Sequence, residues 1–271
     1  MKKLLFSSCA VMSMLAPSAM KGMAQEPMCQ ILDPLQDGLS SLRLLETSGS
    51  DLGIVNAARV SYNRESKAFS EADGKILETL ITHGHETPFE QTFLQFHVKL
   101  PIFVARQWMR HRIGVSYNEQ SARYTQMKDE FYVPKEWRTT SKDGLAAQPE
   151  KAQDLKAAYR HALEVSAQTY KQLLEAGISR ELARGVLPVS LYTQFVFSCN
   201  LRSLFHFASL RADSHAQWEI QQYAKGMIQL AQTHFPRSID TWCRIKKVTF
   251  LNPEQAPAQP STAQEKSPEV K

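Results

Sequence analysis

Apolar residues recur along this chain in two periods. From Gln95 to Leu100, Gln95, His97 and Lys99 alternate with Phe96, Val98 and Leu100, which predicts a strand with one buried face. Leu191 to Cys199, full of aromatic and β-branched residues, predicts another, and Phe131-Tyr132-Val133 is strand-like as well. Nearer the start, Ile31-Leu32 and Leu42 to Leu45, broken by Asp33-Pro34 and Asp37-Gly38, read as two short strands and a turn. Helical spacing dominates elsewhere. Asp51 is a candidate cap for a helix burying Ile54, Val55 and Ala58 and ending near Ser61. Ser70 with Asp73 resembles a capping box ahead of Ile76, Leu77, Leu80 and Ile81, and Gly84 stops that stripe. Pro101 begins a helix on which Gln107 and Arg110, three apart, share a face.

The second half is mostly helical. Leu155, Ala158, Tyr159, Ala162, Tyr170, Leu173 and Leu174 mark a long helix closed by Gly177. Ser179 restarts a short one that aligns Arg180 with Arg184 before Pro188. Asn200 opens a run in which Leu201, Leu204, Phe205 and Ala208 point one way while Arg202 and His206, four apart, share another face. Ser214 with Gln217 fits a capping box for the last long helix, whose buried stripe is Ile220, Ala224, Met227, Ile228 and Ala231. Between these elements, His83 to Glu90 is a polar turn, and residues 139–153 read as a solvated insertion. Residues 252–271 are predicted to be disordered.

Composition adds little. The length of 271 residues and 43% hydrophobic content suit one main domain with a substantial core. Lys+Arg 32 against Asp+Glu 27, a net charge of +5 spread along the chain, weakly favours anionic ligands without forming the basic stripe of a nucleic-acid binder. Cys9, Cys29, Cys199 and Cys243 are too scattered for a disulfide framework and contain no C-x-x-C pair, which points to a reducing compartment. Residues 1–25 argue the other way: Lys2-Lys3, an apolar stretch and Gly22-Met23-Ala24 have the form of a secretory signal, or of a leader added by a misplaced start at which Met23 or Met28 would be the true one. No later stretch is apolar over the roughly 20 residues a membrane span needs.

The candidate chemistry concentrates in Arg110-His111-Arg112-Ile113-Gly114-Val115-Ser116-Tyr117-Asn118-Glu119-Gln120-Ser121-Ala122-Arg123-Tyr124. Arginine offers a planar, permanently charged fork that matches phosphate two bonds at a time. Arg110, Arg112 and Arg123 share this run with serines, an asparagine and one carboxylate, Glu119, which suits a phosphorylated, ring-bearing small molecule. Arg106 reads as an ordinary surface ion pair. Neither G-x-G-x-x-G nor G-x-x-x-x-G-K occurs, so any nucleotide site must be built from side chains. His85-Glu86 lacks the second histidine of H-E-x-x-H, and no metal site is expected. Ser116 and Ser121 lack an activating triad, and Cys199 reads as a small core hydrophobe, so no protein nucleophile stands out. Arg211 and His215 sit at a helix junction, where a positive dipole end favours anions.

The central run closely resembles the flavin-dependent thymidylate synthases. So do Asp51 to Tyr62, His83-Gly84-His85-Glu86-Thr87-Pro88-Phe89-Glu90, Asn200-Leu201-Arg202-Ser203-Leu204 and Leu210-Arg211-Ala212-Asp213-Ser214-His215-Ala216-Gln217-Trp218-Glu219. The resemblance covers roughly Glu26 to Phe250, so 26–251 would be the catalytic domain. It implies α/β (α+β) subunits with mixed helices and a central antiparallel-type sheet, assembled as a homotetramer with shared active sites. It further implies binding of FAD and dUMP, transfer of a methylene group from methylenetetrahydrofolate, and reduction by flavin that NADPH regenerates, with no nucleic-acid or membrane partner.

Residue by residue, Gln107, Trp108, Met109, Arg110, Glu119, Gln120, Ser121, Ala122, Arg123 and Arg184 resemble the dUMP-binding positions, with Ser121 and Arg123 suited to the phosphate. Arg211 matches the arginine that polarises the pyrimidine and is the catalytic choice. Thr87, Arg110, His111, Arg112, Ile113, Glu119, Asn200, Arg202 and His206 resemble flavin contacts, and the resemblance places His85 and Tyr124 toward the folate or nicotinamide. The family places seven residues between R-H-R and the serine, whereas eight, Ile113 to Gln120, intervene here, so a bulge is expected near Gly114-Val115. A nucleic-acid module and a diverged relative without turnover are the alternatives. All reactants being cytosolic metabolites, a cytoplasmic location is expected despite the leader.

Overall fold

A computed structural model describes residues 30–138 and 149–251. The predicted leader, the predicted tail, Cys9, Cys29 and residues 139–148 of the predicted insertion lie outside them. Strands β1 (Ile31–Leu32) and β2 (Ser41–Ser48) pair antiparallel. The turn between them is held by its aspartates: Gly38 N–H donates to Asp33 (2.8 Å) and Ser40 N–H to Asp37 (2.8 Å). Helix α1 (Asp51–Arg59) is capped by Ser50, one residue earlier than expected, whose hydroxyl accepts the Gly53 N–H at 3.1 Å. A 3-10 turn, Val60–Tyr62, follows. Helix α2 (Glu71–Thr82) has the expected Ser70/Asp73 capping box, and the buried Asp73 also takes the Arg59 guanidinium at 2.6 Å.

After a 3-10 turn at Thr87–Gln91 come β3 (Phe93–Pro101), α3 (Ile102–Trp108) and β4 (Val115–Glu119). Strand β4 lies inside the central run, and the expected bulge does not form. Gly114 turns the chain at φ +67°, and β4 then keeps unbroken register with its neighbour from Val115 to Glu119. Phe131 forms only a single bridge to Leu191 instead of a strand. Helix α4 (Pro149–Glu175) starts within the predicted insertion, so residues 149–153 are helical and not a solvated loop.

The rest comprises α5 (Arg180–Ala183), β5 (Tyr192–Cys199), α6 (Leu201–Arg211), α7 (Trp218–Gln232) and α8 (Pro236–Lys246). Asn200 caps α6 by accepting the Ser203 N–H at 2.9 Å. The Ser214/Gln217 box does not form: Gln217 is the N-cap of α7 but makes no side-chain cap bond. Helix α8 has no counterpart in the pattern read from the sequence. Its start is held by Asp51, which accepts the N–H groups of Arg237 (2.8 Å) and Ser238 (2.9 Å), so Asp51 caps α8 and not its own helix.

The strands form one antiparallel sheet in the order β1-β2-β3-β5-β4. One face presents Leu42, Leu94, Phe96, Val98, Leu100, Phe195 and Phe197 to the core shared with α6, α7 and α8. Trp108, fully buried, joins that core, with ring centroids of Phe195, Phe197, Phe207 and Tyr223 at 5.4, 5.5, 4.7 and 6.0 Å. Truncating such a residue costs about 3–5 kcal/mol. Trp108 therefore anchors the end of α3 from which the central run departs.

Candidate active site

Helix α6 ends at Arg211, whose Nε donates to His111 Nε2 at 2.9 Å. His111 follows α3 directly and is only 9% exposed. Burial, then the Arg211 charge and His206, push its imidazole down to about 4, so it is neutral at pH 7 and can accept that bond. Arg211 is itself lowered from the usual arginine range by burial and by the nearby Arg110, yet a guanidinium keeps its proton. The His206 ring lies edge-on to His111 at 5.7 Å. Beside them the Ser203 hydroxyl donates to the Ile113 carbonyl at 3.1 Å, and Ile113, 87% exposed, stands into solvent. The Asn200 Oδ1 is spent on its cap, which leaves its NH2 as the group a ligand could meet.

A second group attaches at the far end of β4, a strand of ~13 Å. Glu119 accepts the Thr193 hydroxyl at 2.6 Å, and Gln120 N–H donates to the Gln194 carbonyl at 2.9 Å. The Ser121 carbonyl then accepts the N–H groups of Tyr124 (3.1 Å) and Thr125 (3.0 Å), which folds Ser121 to Tyr124 into a tight turn. Arg123 lies over the Tyr124 ring at 5.1 Å and donates to its hydroxyl at 3.2 Å. Ala122 packs into the same small apolar cluster as Leu187 and Ala183, the residue that precedes Arg184. Arg184 is exposed, and its side-chain Nε donates to the Glu181 carbonyl at 3.3 Å. Gln107, on α3, donates to the Gln217 side chain.

His85 and Thr87 line a third feature, a cleft of about 920 Å³ bordered by Arg59, Tyr62, Arg64 and Lys75. That size lies within the range of small-molecule pockets. Next to it Arg202 is held by Glu86 (2.9 Å) and by Glu90, so its charge is already balanced. Burial bears on two of the expected contacts. The Trp108 side chain is in the core and offers a ligand only its backbone, and its carbonyl already accepts the Tyr117 hydroxyl at 3.1 Å. Met109 is half-buried against the same core. Arg106, expected in a surface ion pair, has no carboxylate partner among the described residues.

The charge pattern is uneven. Among the described residues Arg59, Arg138, Arg202 and Arg244 each have a carboxylate partner, whereas the other arginines have none, and of these Arg110, Arg112, Arg123, Arg184 and Arg211 lie on or beside the central run. Unbalanced guanidinium charge beside hydroxyls, amides and one exposed aliphatic side chain fits a ligand with phosphate and a flat ring. No group of three or more His, Cys, Asp or Glu among the described residues could hold a metal ion. Burial pushes the Cys199 thiol up, away from the thiolate a nucleophile needs. Sequence reading missed Thr193, Ser203 and Gln217 as partners of the site, because each acts across the fold on Glu119, Ile113 and Gln107.

The chain is similar to known proteins over most of its length. The family model described as thymidylate synthase complementing protein matches residues 43–237. The flavin-dependent thymidylate synthase of Thermosipho africanus is 48% identical over 212 residues, 75% of this chain and 91% of the relative. That of Thermus thermophilus is 43% identical over 197 residues, 72% of each. Among solved structures, the UMP/dUMP methylase PolB from Streptomyces cacaoi bound with 5-Br dUMP superposes with a TM-score of 0.70 at 34% identity, covering 78% of this chain and 97% of that one.

Proposed function

The chain belongs to the flavin-dependent thymidylate synthases, and from that premise we propose which of its residues carry the reaction. It is an FAD-dependent methyltransferase that converts dUMP to dTMP with methylenetetrahydrofolate as carbon donor and NADPH as reductant. Ser121, Arg123 and Arg184 take the nucleotide phosphate, with Gln107, Glu119 and Gln120 around the sugar and base. Trp108, Met109 and Ala122 contribute backbone. Arg110 and Arg112, without carboxylate partners among the described residues, with His111, Ile113, Glu119, Asn200, His206, Thr87 and Arg202, would hold FAD, which supplies the hydride when reduced. His85 at the cleft and Tyr124, 73% exposed, face the folate or nicotinamide.

Arg211 is the catalytic residue. Paired hydrogen bonds from a fixed guanidinium stabilise the negative charge that the pyrimidine ring acquires when it is activated, and burial strengthens that interaction. The repulsion between Arg110 and Arg211 is relieved when an anion arrives between them. In one subunit the Arg211 group and the Arg123–Arg184 group lie at opposite ends of β4, which supports a homotetramer in which neighbouring copies complete each site. The reaction belongs in the cytoplasm, where its reactants are.

The Arg211 guanidinium, fixed by His111 at 2.9 Å beside the Arg110 charge and without a carboxylate partner among the described residues, carries the reading of the site. Arg211→Ala is expected to lower dTMP formation about 100- to 1,000-fold while bound flavin, read from its visible absorbance, stays near the wild-type level. Parallel loss of flavin and turnover would make Arg211 structural.

A further inference from the structure

Besides the flavin contact that its place in the R-H-R run implies, the His111 side chain makes a contact within the chain. Its backbone N–H donates to the Trp108 carbonyl at 3.0 Å, and its own carbonyl accepts the Tyr117 hydroxyl at 2.8 Å. Its ring is wedged between Phe207, at 4.8 Å and 63°, and His206, at 5.7 Å and 68°. The ring is thus fixed from the core side, through Trp108 and Phe207, before anything binds. Its Nε2 is the atom that meets Arg211, at 2.9 Å. Because a guanidinium can only donate, Nε2 must be the unprotonated nitrogen and Nδ1 must carry the proton.

We propose that His111 is a positioning residue that acts through Arg211. By accepting the Nε–H it removes the side edge of the guanidinium from use and leaves the end-on pair, Nη1 and Nη2, as the fork presented to the pyrimidine. The inference rests on Arg211 being the catalytic arginine. Its physical basis is that a charge aimed before the reaction costs no reorganisation during it, whereas a long arginine side chain left free samples several rotamers. The charged and titratable groups that face the imidazole are Arg211 and His206, both of which disfavour a second proton on the ring.

The test uses the full-length flavin-loaded protein. In His111→Gln the amide oxygen falls where Nε2 was and keeps an acceptor for Arg211; His111→Leu keeps bulk without an acceptor; His111→Asn has an acceptor too short to reach. Flavin content, melting temperature, and kcat and KM for dUMP are measured for each, with Arg211→Ala as reference. His111→Leu and His111→Asn are expected to lower kcat per bound flavin by about 100-fold with little change in KM for dUMP, and His111→Gln to recover most of the loss. If His111→Leu does not fold, the contrast between Gln and Asn decides. Equal kcat per bound flavin for Gln and Asn overturns the proposal. If Arg211→Ala loses turnover while His111→Leu and His111→Asn do not, only this proposal fails. If Arg211→Ala retains turnover, the assignment of Arg211 fails and this proposal with it.

Discussion

A histidine kept neutral beside cations makes stability depend on pH in a definite direction. Unfolded, His111 takes up a proton near 6.5; folded, it does so only at about 4, so protons favour the unfolded chain between those values. Its contribution is complete above pH 6.5 and is lost as the pH falls toward 4. His97 is lowered too, by burial and by Arg43, but it is common to wild type and a His111 variant and cancels in their comparison. Asp73, held well below the usual carboxylate range chiefly by the Ser70 hydroxyl, is lost only at lower pH still. Urea denaturation of wild type and His111→Gln from pH 7 to 4.5 is expected to show the wild type losing stability more steeply; equal slopes would remove His111 from the account. The resemblance marked His111 as a flavin contact. Which nitrogen it offers, and to whom, depends on α6 arriving beside it.

Among the elements, α8 and β4 were the ones the sequence reading missed, and each is fixed by contacts from elsewhere. Helix α8 has Pro236 at its first turn and buries Ile239 and Trp242, a short apolar signal, but its first N–H groups are satisfied by Asp51 from 186 residues away. Asp51→Ala is expected to lower stability by about 2 kcal/mol, with Asp51→Asn losing less because one acceptor oxygen remains. The urea midpoint reads this, and a change below about 0.5 kcal/mol would leave α8 independent of Asp51. Strand β4 is polar along its length, yet Tyr117 turns inward against Phe195 and Phe197 at 5.8 and 5.1 Å. Gly114 makes the turn possible: a Cβ there would come within 2.5 Å of the Ser203 hydroxyl, at a φ of +67° that glycine tolerates best. From Val115 to Glu119 the run is regular strand. Deleting Val115 would shift β4 by one place and exchange its faces, putting a polar residue in the position of Tyr117. Loss of soluble, flavin-loaded protein is the expected result; recovery with raised activity would show that β4 can slip.

At the scale of the whole molecule, the antiparallel sheet is a spacer as much as a core. It sets Arg211, Arg110 and His111 at one end of β4 and Ser121, Arg123 and Arg184 at the other. If neighbouring subunits unite the two groups, mixing Arg211→Ala with Arg123→Ala after subunit exchange should restore part of the dTMP formation that each lacks alone. No recovery, with exchange verified, would place both arginines of a site in the same subunit. Much of this was legible in the chain itself: the strand at Gln95 to Leu100, the Ser70/Asp73 cap, the Asn200 helix and the arginine-rich run follow from local periodicity and local hydrogen bonding, which depend on near neighbours. Tertiary structure alone decided that Trp108 is core, that Arg202 is balanced by Glu86 and Glu90 while Arg211 has no carboxylate among the described residues, and that Asp51 serves a distant helix. Burial and charge pairing are set by groups far apart in sequence, and a chain read residue by residue does not show which of them meet.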